Sequence, residues 1–72
     1  MNAEQKRILD EARREELLRA QQLLNAALDF YDGGMREDDF MGAVCRYGHA
    51  ALSRRVLLHD INLDTANRSN LN

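Results

Sequence analysis

With 72 residues, twelve acidic against ten basic side chains and a net charge of -2, the chain is one domain at most and too short to bury a thick core. Its single cysteine, Cys45, excludes an intramolecular disulfide, and the acidic balance argues against a dedicated nucleic-acid binder. No apolar run approaches the roughly 20 residues that cross a membrane, and no charged-then-apolar leader opens the chain at Met1. The expectation is a reduced, cytoplasmic protein without membrane contact.

The first predicted element is a helix from about Ala3 to Tyr31. Asn2 is placed to cap it, and Gln5 stands three residues on, where a capping box takes Glu or Gln. The segment is written almost entirely in good helix formers. Its second half carries a broad apolar arc that includes Leu17, Leu24, Leu28 and Tyr31. In its first half only Ile8, Leu9 and Ala12 are apolar. That half depends on charge spacing, with Asp10 to Arg14 and Glu15 to Arg19 four apart, each pair contributing about 0.2–0.5 kcal/mol. Its first turns are expected to fray unless something packs on Ile8 and Leu9.

Asp32-Gly33-Gly34 ends the helix, because glycine accepts the left-handed conformation found just past a helix C-terminus. The turn spans residues 32–35. A second helix then starts between Met35 and Asp39, about residue 36, with Glu37, Asp38 and Asp39 at its positive end, and runs to about Asp60. Residues 62–72 hold four asparagines and no sustained period, so they read as a flexible tail after a hairpin over 1–61.

The two helices mirror each other about Gly33-Gly34. Phe30 pairs with Phe40, Ala27 with Ala43, Leu23 with Tyr47, Ala20 with Ala50, Ala12 with Leu58 and Leu9 with Ile61. Each pair of numbers sums to about 70, and each stripe steps by three and four residues, the helical period. One pair is charged: Glu16 meets Arg54. The main reading of this pair is a register device, because a slipped pairing would leave a charge without its partner. The other reading has Arg54 gripping an acidic group on a partner.

Helix 2 carries a second row on nearly its opposite side: Met41, Cys45, Gly48, Leu52, Val56 and His59, spaced four, three, four, four and three. A helix apolar on two sides is normally covered on both. On helix 1, Leu17, Leu24, Leu28 and Tyr31 flank the main stripe on one side and could extend the same surface. With Tyr31, the row is the expected interface, either for dimerisation into a four-helix bundle or for another protein. The competing reading folds the tail back over the row, with Leu63 and Leu71 as cover.

Chemistry is sparse. Cys45 and His49 stand four apart, a spacing that can chelate zinc from one helix face, but the remaining ligands would have to come from a second chain. No orienting group or oxyanion site accompanies a Cys-His pair. No Lys-Ser/Thr follows Gly33-Gly34 as in a phosphate loop. No catalytic, metal or cofactor site is therefore expected. Arg13, Arg14, Arg19, Arg46 and Arg55 define a possible basic strip that a dimer would double, although Glu11, Glu15 and Glu16 interleave those on helix 1.

In plan, residues 3–61 are similar to the plasmid copy-control hairpins that dimerise into a four-helix bundle and grip paired RNA loops. They are also similar to the small hairpin co-chaperones of type III secretion needle subunits. The likeness lies in length and helix-turn-helix plan, and it carries no functional residue across. The expected protein is an all-α antiparallel hairpin that forms a homodimer and binds an unidentified protein. It would act as a non-enzymatic adaptor, inhibitor or co-chaperone, of the kind found among phage and plasmid accessory factors. A dimeric RNA- or DNA-binding regulator using the arginines is the alternative.

Overall fold

The computed structural model describes residues 1–70, with side chains described through Asn67. Its two helices, α1 (Ala3–Tyr31) and α2 (Glu37–Asn70), lie antiparallel, with no strand among the described residues. They form a rod 59 Å long and 17 by 11 Å across.

Local chemistry sets each boundary. The Asn2 side chain accepts from the Gln5 N–H at 2.8 Å, and Gln5 Oε1 accepts from the Asn2 N–H at 3.1 Å, completing the capping box. At the other end Gly33 takes φ +84°, its N–H bonds the Phe30 carbonyl at 3.1 Å, and the Gly34 N–H bonds the Asp29 carbonyl at 2.8 Å. This pair of bonds is the Schellman pattern, and it satisfies carbonyls that the helix end would otherwise leave open. α2 starts at Glu37, with Glu37, Asp38 and Asp39 in its first turn, where the helix dipole favours negative charge.

The hairpin closes in the register set out above. Phe30 and Phe40 meet edge to face with ring centroids 4.8 Å apart, and Tyr31 joins them at 5.2 and 6.2 Å. Leu9 and Ile61 are both buried near the open end. Between them Arg54 Nε donates to Glu16 Oε2, with both side chains about four-fifths covered. Ala26, rather than Ala27, is the buried alanine on α1, and Ala51 is buried beside Ala50 on α2. Four of the six buried apolar residues are alanine, so the helices approach closely while hiding little apolar area.

One boundary differs from the sequence expectation. α2 does not end near Asp60 but continues through Asn70, so residues 62–70 are helical rather than a tail; residues 71 and 72 lie outside the described residues. Leu57, Leu58, Ile61 and Asp64 keep the three- and four-residue step. Gln5 Nε2 donates to Asp64 Oδ2 at 3.1 Å, extending the mirror one turn further. Thr65 Oγ1 donates back to the Ile61 carbonyl at 3.0 Å. The turn preference of asparagine costs only tenths of a kcal/mol per residue inside a helix. Propagating an existing helix along a neighbour outweighs that cost.

Candidate functional site

The two long sides of the hairpin are chemically unlike. On one side lie two open grooves floored by Ala12, Ala26, Ala43 and Ala50 and walled by polar groups, among them Glu15, Arg19, Gln22, Asp29, Asp39 and Arg46. Arg19 bonds Glu15 and Gln22 there, each at 2.8 Å. Relative to the buried stripe, these residues precede it in the sense of winding on both helices. Residues that follow the stripe turn to the other side on both helices, because antiparallel right-handed helices share that sense.

Toward the turn that other side is apolar, and toward the open end it carries the exposed Arg13 and Arg55. From α1 it takes Leu17, Leu24 and Leu28, spaced seven and four and each about 60% exposed, with Tyr31 at the turn end. From α2 it takes the half-buried Val44, with Gly48 at its edge and Ala51 buried beneath. At 100° per residue, the row Met41, Cys45, Gly48, Leu52, Val56 and His59 sits on the order of 150° from the stripe, on the back of α2. All six are exposed, Leu52 the most open of the large ones at 62%. Met41 and Gly48 lean toward the apolar side, so the turn end of the back row adjoins the side face, whereas Leu52 and Val56 line a groove with His49, Ser53 and Asp60.

Leu63, expected to fold back as cover, lies on α2 itself in line with the row and is half exposed, so it lengthens the row instead of shielding it. Leu71, the other expected cover, lies outside the described residues. The chain exposes 5531 Å², whereas a compact monomer of 8.3 kDa exposes about 4,600 Å². The excess goes with the rod shape, 59 Å long and 17 by 11 Å across, in which each helix is covered by the other along one stripe.

Within the expected basic strip, Arg13 and Arg19 pair with carboxylates. Arg7 bridges Glu4 at 2.6 Å and Glu11 at 2.7 Å, Arg19 holds Glu15, and Arg13 lies 3.8 Å from Asp10. Asp10 was expected to serve Arg14, but the three-residue spacing wins. Hydrogen bonding to Arg7, reinforced by its charge, holds the Glu4 carboxyl below its ordinary value and raises the Arg7 guanidinium. Arg14 and Arg55 are exposed. Cys45 and His49 line one groove, with Arg46 and Ser53 beside them. Among the described residues no three His, Cys, Asp or Glu side chains are grouped to hold a metal ion. No described helix is long and apolar enough to cross a membrane.

The flank of Leu17, Leu24, Leu28 and Tyr31 expected from spacing is exposed; the polar grooves on the opposite side were not expected. Compared with known proteins, the chain matches no family model, no curated protein and no solved structure.

Proposed function

We propose that the chain is a small non-enzymatic protein-protein interaction module, of adaptor, inhibitor or co-chaperone type, acting through the row on the back of α2. The observation that carries this reading is the exposure of Met41, Leu52 and Val56 along a row without a charged member, on a helix whose opposite side is already buried. Isolated surface leucines are ordinary, but a contiguous apolar strip is the usual mark of a binding surface. The net charge of -2 and the pairing of Arg13 and Arg19 with carboxylates favour a protein partner over nucleic acid, since a nucleic-acid binder ordinarily shows a basic excess.

The test is affinity purification from the source cell with the wild-type chain and with Leu52→Asp in parallel. Circular dichroism serves to confirm that the variant stays helical. A protein retained by the wild type and lost by the variant is expected. Equal recovery of the same protein by both would overturn the reading.

A further inference from the structure

We infer that the apolar side built from Leu17, Leu24 and Leu28 is covered by a second copy of this chain, laid antiparallel so that each turn end faces the partner's middle. The surface is distinct from the Val56 end of the α2 row, and the inference does not rest on the function proposed above.

The first argument is area. The chain exposes 5531 Å², an excess of roughly 900 Å² over a compact monomer of its mass. A standard interface removes about 800 Å² from each partner. The surplus surface of the two-helix rod is thus large enough for one standard interface with one other copy. Its residues also suit close helix packing: leucines at seven- and four-residue spacing on α1 lie beside the small, exposed Gly48 of α2.

The second argument is charge, and it sets the orientation. At the turn end the carboxylates of Asp29, Asp32, Glu37, Asp38 and Asp39 stand against the single guanidinium of Arg36. Over the rest of the chain nine basic side chains outnumber seven acidic ones. Two copies packed turn beside turn would bring ten carboxylates together, whereas the antiparallel arrangement sets each acidic turn against basic surface. The apolar stretch of α1 runs from Leu17 to Tyr31, so its midpoint is Leu24. A two-fold axis through Leu24 sets Leu17 opposite Tyr31 of the second copy. It also brings residues 32–39 level with the second copy's Arg13 and Arg55, both exposed. A two-fold arrangement closes on itself, which stops growth at two copies.

Single cysteines introduced into a Cys45→Ser chain distinguish the orientations when treated with a short bis-maleimide. Leu24→Cys is expected to yield covalent dimer, and a mixture of Leu17→Cys with Tyr31→Cys is expected to yield the mixed dimer. Tyr31→Cys alone is expected to stay monomeric, because its two copies lie about 20 Å apart along the bundle, out of reach of the linker. Arg13→Glu with Arg55→Glu leaves the apolar face intact and is expected to raise the dimer dissociation constant at least several-fold at low salt. Efficient linking of Tyr31→Cys to itself would overturn the orientation. Absence of linking at all three positions would overturn the second copy, while leaving the Leu52 test of function unaffected.

Discussion

Glu16 and Arg54 are joined across the hairpin by a hydrogen-bonded ion pair set between the two apolar stripes. Both side chains are largely covered, so removing either leaves the other without compensation. For a partly buried pair, Arg54→Ala is expected to destabilise the hairpin by about 1–3 kcal/mol. In a double-mutant cycle with Glu16→Ala, a coupling of roughly 0.5–3 kcal/mol is expected, measured by urea unfolding. Coupling near zero would show that the pair does not set the register.

Gly33 carries the turn. Its φ of +84° is strained for any residue with a Cβ, although a Cβ added there would meet only open space. Gly33→Ala is expected to lower stability by about 1–2 kcal/mol through backbone strain alone. Gly33→Asn, which tolerates the left-handed region better, should recover part of the loss. Thermal melts of the three chains check the order wild type, Asn, Ala.

Gly48 reads differently. It lies inside α2 with nothing within 4 Å of where a Cβ would stand, so Gly48→Ala is expected to strengthen the helix by up to about 1 kcal/mol. In a dimer packed at that edge the added methyl separates the copies. The expected signature is therefore a variant whose helix content at low concentration rises while its dimer dissociation constant also rises. Improvement in both quantities would remove Gly48 from the interface.

Glu4 provides the pH-dependent signal. Its carboxyl is held below the ordinary 4.5 by hydrogen bonding to Arg7 and by that guanidinium's charge. A depressed carboxylate contributes stability above its unfolded value and loses it as pH falls through the folded one. The loss is expected below pH 4.5, and at this fully exposed site it is small. A side-chain NMR titration should show the Glu4 midpoint rise toward its ordinary value in Arg7→Ala.

Gln5 joins the capping box to Asp64 through the two ends of its amide. Gln5→Ala is therefore expected to cost about 0.5–1.5 kcal/mol and to speed hydrogen exchange in residues 62–67 of α2 as well as in the first turn of α1. Acceleration confined to α1 would show that the far end of α2 holds itself.

The hairpin was legible because its signals are local and periodic. Asn2 with Gln5, Gly33, and the paired steps from Phe30–Phe40 to Leu9–Ile61 all act over a few residues or in one repeated register. The end of α2 was not legible, because Asn62 and Asn67 carry turn preferences that a neighbouring helix overrides, and that neighbour, Gln5, is 59 positions away in sequence from Asp64. Burial shifted from Ala27 to Ala26 for a related reason, since the helical period is not a whole number of residues and the stripe drifts. The back row of α2 was visible from spacing alone. So was the flank of Leu17, Leu24 and Leu28 that could extend it, whereas the polar grooves on the opposite side emerge only when α1 and α2 are set against each other.

The most direct measurement is sedimentation velocity of the wild-type chain at micromolar concentration, repeated with Leu24→Asp. The expected result is a species of twice 8.3 kDa for the wild type and its loss in the variant. An 8.3 kDa species for the wild type across the whole concentration range would contradict the account.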